Sequence, residues 1–263
     1  MEITFKWIGG ATFILSTGDL NIAIDPVLCP KGTVQDYFWF KSERIEQPIF
    51  TEQDFEQIDL WLITHNHEDH LDQKGLSKID ESSKIICNQN AYHILCKSHK
   101  KDVTVLDWDQ HQVIFLKDHK IEITAIPAIH GINPLSALLA GKVNGYYLSI
   151  SKGNQKTSIY CTGDTVYKDS IIRSLKNKEI DLMIPNMGAA KQGSWIMTLT
   201  LNAGMLAKMI RELQPKVVIP VHFGTFEHYK EPVSKIKALN DERIKFVEVG
   251  SKITFNAKTG SLL

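Results

Sequence analysis

The chemistry of this chain concentrates in one run, Thr64-His65-Asn66-His67-Glu68-Asp69-His70-Leu71-Asp72. Histidine nitrogen and aspartate oxygen are suitable ligands for zinc, manganese or iron. His65 and His67 stand two apart, so on an extended loop they project the same way. Asp69 and His70 sit on the following turn and face a neighbouring site. Two ligand pairs from one loop suit two metals about 3.5–4 Å apart. A polar loop that holds histidines by chance is the competing reading. Only ten of the 263 residues are His, however, and the HxHxDH order weighs towards metal.

Two pairs do not close two sites, and the missing ligands are sought in loops that leave strands, where open α/β sheets gather them. His130 in Pro127-Ala128-Ile129-His130-Gly131, Asp164 in Thr162-Gly163-Asp164-Thr165 and His222 in Pro220-Val221-His222-Phe223-Gly224 qualify. Each has small or turn-forming neighbours that let backbone approach a ligand. Alone, each reads as a packed or capping residue; beside the HxHxDH loop, each reads as a ligand. Asp25 before Pro26 is a turn former on simple grounds. Asp72 either caps a helix beginning near Gln73 or orients a ligand histidine. His228 either lines the pocket or lies on the surface. Phe38, Trp39 and Phe40 form an aromatic cluster, read as core or as a substrate wall. His93, His99, His111 and His119 are expected to be solvated.

The elements that must position these residues follow from patterning. Ile3–Ile8, Thr12–Ser16 and Leu20–Ile24 are short β-prone runs punctuated by Gly9-Gly10 and Gly18-Asp19. Residues 27–57 are too long for an ordinary connection and are expected to help wall a site. Ile58–Thr64 is nearly all apolar, as in a strand buried on both faces. Further strands are expected at 84–87, 103–107, 112–116, 121–126, Gly145–Ser151 and Thr157–Thr162, with a helix at 89–98. A β/α alternation follows: helix 167–177, strand 180–185, helix 200–213, strand 216–221, helix 230–239 and strand 243–248. Thr200 is the expected cap of the third of these helices, where Leu201, Met205, Met209 and Leu213 recur at helical spacing. No linker divides the chain, so residues 1–263 read as a single α/β domain.

Composition narrows the function class. With 43% hydrophobic and 23% charged residues, disordered, collagen-like and coiled-coil classes are excluded. Thirty basic residues balance thirty acidic ones, which leaves no global basic field to attract nucleic acid or anionic lipid. The four cysteines form no CxxC pair, and no apolar run approaches the length of a membrane span. The expectation is a reduced, cytoplasmic protein with a small-molecule substrate; its oligomeric state is not legible.

Taken together and in this order, HNHEDH, His130, Asp164 and His222 resemble the metallo-β-lactamase superfamily. The resemblance runs over nearly the whole chain, from GGATFIL and the Asp25-Pro26 turn to HFGTF. It implies an αββα four-layer sandwich with a dinuclear site at one edge. It assigns His65, His67 and His130 to the first metal and Asp69, His70 and His222 to the second, with Asp164 bridging. It also implies a supporting place for Asp25 near the HNHEDH loop. TGDT, Leu199-Thr200-Leu201-Asn202 and QPKVVIPVHFGTF are similar to the ascorbate-6-phosphate lactonase branch. THNHEDHLD and HFGTFEHYKEP resemble the phospholipase D that hydrolyses N-acylphosphatidylethanolamine. Cys161, three residues before Asp164, is read as a core residue.

The implied chemistry is hydrolysis. Two divalent ions, zinc first and manganese or iron(II) as alternatives, share a water and lower its pKa from near 15.7 towards ~7. The bridging hydroxide attacks a small ester, lactone or phosphodiester, and Asp69 and Asp164 are the residues read as catalytic. A nuclease-type phosphodiesterase and an iron-dependent oxidoreductase on the same fold are the alternatives.

Overall fold

The computed structural model describes residues 1–37, 40–191 and 198–263. The first half of the chain runs β1 (Glu2–Gly9), β2 (Thr12–Thr17), β3 (Leu20–Ile24), β4 (Val34–Asp36), β5 (Lys41–Glu43), β6 (Leu60–Ile63), α1 (Gln73–Leu76), β7 (Lys84–Cys87), α2 (Gln89–Lys97) and β8 (Val103–Val105). The second half runs β9 (His111–Leu116), β10 (His119–Ala128), α3 (Pro134–Ala140), β11 (Val143–Lys152), β12 (Gln155–Cys161), α4 (Asp169–Ser174), β13 (Leu182–Ile184), α5 (Ala203–Leu213), β14 (Val217–Val218), α6 (Val233–Lys237) and β15 (Lys252–Asn256).

Among the described residues, seven strands pair in the order β15-β1-β2-β3-β6-β7-β8 and six in the order β14-β13-β12-β11-β10-β9. Side-chain alternation explains the layering, because successive strand residues point to opposite faces. In β6, Leu60 and Leu62 enter the core between the sheets, where they join Phe5, Ile86, Tyr146 and Leu148. Trp61 and Ile63 point the other way and pack under α1 and α2 with Leu76, Ala91 and Leu95. The second sheet buries its outer face against Ile171 of α4, Leu206 and Met209 of α5, and Ile236 of α6. The result is an αββα sandwich. The apolar continuity of β6 follows from having protein on both sides.

The parallel strands β3-β6-β7-β8 and β12-β13-β14 open their carboxyl ends at one edge. That edge receives the loops carrying the expected ligands. The 27–57 segment contributes the β4–β5 hairpin there; Phe38 and Trp39 of the aromatic cluster lie outside the described residues.

Several boundaries differ from the sequence reading. The helix expected at 200–213 begins at Ala203, because the Asn202 side chain accepts from Met205 N–H. Thr200 instead ties two loops, donating to Met187 C=O and accepting from Ala190 N–H. The helices expected at 167–177 and 230–239 shrink to Asp169–Ser174 and Val233–Lys237. The strand expected at 243–248 reduces to one bridge between Val218 and Ile244, and β15, pairing with β1, was not expected. His119 is buried, contrary to the solvated reading. Among the described residues no helix is long and apolar enough to cross a membrane.

Candidate metal centre

Four strand ends build the centre. The loop after β6 carries His65, His67, Asp69 and His70; His130 follows β10, Asp164 follows β12 and His222 follows β14. All seven converge, in two groups whose ligand atoms each lie within 4.8 Å of one another: His65, His67 and His130, and Asp69, His70, Asp164 and His222. In the first group, His67 Nδ1 lies 3.0 Å from His65 Nε2 and 3.3 Å from His130 Nε2. In the second, His70 Nε2 lies 3.1 Å from His222 Nε2 and 3.2 Å from Asp164 Oδ1. The other Asp164 oxygen turns to the first group, 3.7 Å from His130 Nε2.

These separations match a metal polyhedron. Tetrahedral ligands with bonds of about 2.0–2.1 Å stand roughly 3.3–3.4 Å apart. The proton positions agree. His130 Nδ1 and His222 Nδ1 face the carbonyls of Leu199 and Met187 at 2.9 and 3.2 Å, and a carbonyl only accepts, so each Nδ1 carries the proton. His70 Nδ1 meets the Asp25 carboxylate at 2.7 Å. The Thr64 hydroxyl donates to Asp25, so its oxygen accepts from His65 Nδ1 at 2.9 Å. The Nε2 lone pairs of His65, His130 and His222 therefore point inward, and those of the second group meet the acceptor oxygens of Asp164. Such a cluster calls for a cation. Burial opposes a charge on His70, but the Asp164 and Asp25 carboxylates raise it well above the usual imidazole range, which shows how strongly they favour positive charge at this point.

Electrostatics sort the two groups. Burial, then neighbouring imidazoles, hold His65 far below its ordinary range and His67 at about 4; burial also lowers His130. All three are neutral imidazoles at neutral pH, the form that can ligate a metal. Asp69 and Asp164 stay ionised: burial pushes their carboxyls up, but His222 and His228 beside Asp69, and His222 and His70 beside Asp164, hold them well below the carboxylate range. The backbone adapts as well, for His222 adopts φ +61 and Asp25 φ +44, a left-handed conformation that costs non-glycine residues of order 1–3 kcal/mol.

The supporting residues divide. Asp25 accepts from Thr64 N–H at 2.7 Å and the Thr64 hydroxyl at 2.6 Å besides His70, so it braces the ligand loop. Asp72 caps α1: Oδ1 accepts from Gly75 N–H, and Oδ2 from Leu28 and Cys29 N–H. His228 is buried beside Asp69. Cys161 packs in the core between the sheets. Asn186, which donates to Asp164 Oδ1 at 2.9 Å, escaped the sequence reading although it follows the end of β13, the same signal that picked out the candidate ligands. Tyr229 also escaped; its hydroxyl lies 2.7 Å from His222 Nε2.

A cavity of about 200 Å³ opens beside the two groups. Tyr37, Phe40, Leu139 and Leu199 supply its apolar wall, and Asn66, Ser136 and His228 its polar atoms. Its charged lining is Asp36, Glu68, Asp69 and Asp164.

Residues 20–223 match the model of the beta-lactamase superfamily domain. The chain is 26% identical over 248 residues to a metal-dependent hydrolase of Pyrococcus abyssi, covering 93% of this chain and 95% of that one. It is 23% identical over 257 residues to an N-acyl-phosphatidylethanolamine-hydrolyzing phospholipase D of Caenorhabditis elegans, covering 90% of this chain and 69% of that one. Its fold superposes on the crystal structure of a possible metal-dependent hydrolase from Veillonella parvula with a TM-score of 0.82, at 21% identity, covering 97% and 100% of the two chains. With the family model matched over most of its length, the chain belongs to the β-lactamase superfamily, as a metal-dependent hydrolase of the metallo-β-lactamase fold.

Proposed function

We propose that this hydrolase acts on a small, uncharged ester or lactone and uses two divalent ions, zinc first, with manganese or iron(II) as alternatives. His65, His67 and His130 hold one ion, Asp69, His70 and His222 the other, and Asp164 serves both. The observation that carries the reading is the convergence of His70 Nε2, His222 Nε2 and Asp164 Oδ1 within 3.1–3.4 Å, acceptors with a cation as their natural partner. Bound there, such ions supply Lewis acidity and bring the pKa of water from 15.7 towards ~7.

The chain's own residues do the rest. Asp25 and Thr64 hold His70 and His65 in the tautomers that turn Nε2 inward. Asn186 fixes the Asp164 carboxylate by donating to Oδ1. Tyr37, Phe40 and Leu199 offer a substrate an apolar surface beside the ligands. Among the described residues the cavity wall has carboxylates and no Lys or Arg, so a phosphate group inside it would find no cationic side chain to pair with; Lys41, Lys191 and Lys230 line the neighbouring depression, which shares Phe40 and His228. This favours an ester or lactone over a phosphodiester. The phosphodiester is the second reading, supported by the printed activity of the C. elegans relative.

The test is reconstitution of metal-stripped protein with Zn²⁺, Mn²⁺ or Fe²⁺, elemental analysis, and a hydrolysis screen across lactones, carboxylic esters, phosphodiesters and N-acyl phospholipids. Up to two ions per chain and turnover of lactones or esters are expected. A protein that retains no transition metal and hydrolyses none of these refutes the reading.

A further inference from the structure

Asp69 receives two donors from consecutive residues. His228 Nε2 lies 3.2 Å and the Tyr229 hydroxyl 3.0 Å from the same oxygen, Oδ2. Both residues are buried, on the loop that leaves His222.

The proton on His228 is held in place from 186 residues away. The backbone N–H of His228 donates to Ser42 Oγ at 3.3 Å, and Ser42 Oγ lies 2.7 Å from His228 Nδ1. A hydroxyl has one proton to give. The Asp69 carboxylate only accepts, so the proton on His228 sits on Nε2, and Ser42, whose oxygen accepts from the backbone, can give its own proton to the free Nδ1 and so lock that tautomer. Ser42 lies on β5, opposite Gln35 of β4. The Gln35 amide donates to the carbonyl of Glu68, the residue before Asp69, at 2.6 Å. The hairpin thus grips the ligand loop through its backbone at Glu68 and through His228 at the Asp69 side chain. The Tyr229 hydroxyl also lies 2.7 Å from His222 Nε2, so its one proton is free for Asp69 when that nitrogen's lone pair is given to a cation, and its ring packs 4.0 Å from that of His222 between centroids.

The first group takes its orientation from other partners: Thr64 for His65 and the Leu199 carbonyl for His130. Thr64 also reaches the second group through Asp25 and His70, but the hydrogen bonds of His228 and Tyr229 go to the second group alone, so these two can be perturbed separately from the first.

We infer that Tyr229 and His228, the latter set by Ser42, are positioning residues that aim the Asp69 carboxylate at the second metal and set the affinity of that site alone. The inference rests on the two-metal reading above. Loss of a partner that orients a ligand typically costs 10–100-fold in metal affinity.

The experiment is calorimetric titration of metal-stripped protein with Zn²⁺ against a competing chelator, with His130→Ala identifying the step that belongs to the three-histidine site. Tyr229→Phe keeps the ring against His222 and removes only the hydroxyl; His228→Leu removes the second donor; His228→Gln restores an N–H near the position of Nε2. Tyr229→Phe and His228→Leu are expected to weaken the second step 10–100-fold and leave the first unchanged, with His228→Gln close to wild type. Circular dichroism checks folding, and Tyr229→Phe carries the test if His228→Leu does not fold. Two wild-type steps in Tyr229→Phe, or equal weakening of both, overturns the inference while leaving the metal reading intact. A wild-type protein that takes up no zinc removes the metal reading and the inference with it.

Discussion

Replacing Asp164 by Asn tests the centre at the one carboxylate that faces both ligand groups. Oδ1 lies 3.2 Å from His70 Nε2 and 3.4 Å from His222 Nε2, while Oδ2 lies 3.7 Å from His130 Nε2. Asn186 donates to Oδ1, so the amide oxygen of an asparagine would take that place and its NH₂ would occupy the position of Oδ2. The second group would lose a negative charge, and the first would gain a donor aimed at the His130 lone pair. At about 3.3 Å and an effective dielectric near 20, a unit-charge contact is worth about 5 kcal/mol before desolvation. If half survives, about 2.5 kcal/mol is lost, roughly 60-fold in metal affinity. Asp164→Asn should therefore fold, lose at least one metal by elemental analysis and lose hydrolysis by several orders of magnitude. Cys161→Ser controls for damage to the strand, since it buries a hydroxyl in the core and should cost ~1–3 kcal/mol of stability with metal content unchanged. An Asp164→Asn protein that is folded by circular dichroism, holds both metals and turns over normally would refute the role given to this carboxylate.

Asp25→Asn should lower both stability and metal affinity. It places an NH₂ among the donors Thr64 N–H, Thr64 Oγ and His70 Nδ1, and with hydrogen bonds to charged groups worth about 1.5–3 kcal/mol, urea unfolding should show a loss of roughly 2–4 kcal/mol. Of the four thiols, Cys96 is exposed and Cys29, Cys87 and Cys161 are buried. Burial pushes Cys87 up to about 12, a thiolate fraction on the order of 10⁻⁴ at pH 8. Ellman titration of native protein at pH 8 should therefore find one reactive thiol, and the denatured protein four; fewer than four would reveal a disulfide. Gly75→Ala should destabilise without altering the ligands, since its Cβ would sit 1.9 Å from the Pro26 carbonyl oxygen. A cost of ~1–3 kcal/mol would lower the thermal midpoint by about 2–12 °C, read by differential scanning calorimetry.

The centre was legible in the sequence to the extent that its chemistry is local. A buried strand followed by HxHxDH places four candidate ligands, three His and one Asp, on one loop, whatever the rest of the chain does. His130, Asp164 and His222 were found by the same rule, each at the end of an apolar strand. Asn186 stands at a strand end too, but its part is to donate to Asp164, a contact between loops that its residue type does not reveal. Strand positions survived better than helix ends. The period-2 pattern is set by burial on the two faces of a sheet, whereas α5 starts where Asn202, rather than Thr200, meets a free N–H.

What the sequence by itself determined is the set of donor atoms: which side chains can bind a cation, and that they sit in loops leaving apolar strands. It could not show how those donors are aimed. The contacts that decide this join residues far apart in the chain: Asp25 with His70, Leu199 with His130, Ser42 with His228 and Tyr229 with Asp69. A tautomer depends on what lies opposite the other ring nitrogen, and that partner is chosen by the packing of two sheets and a hairpin. Ligand identity is a property of residue type, while ligand orientation is a property of the assembled layers.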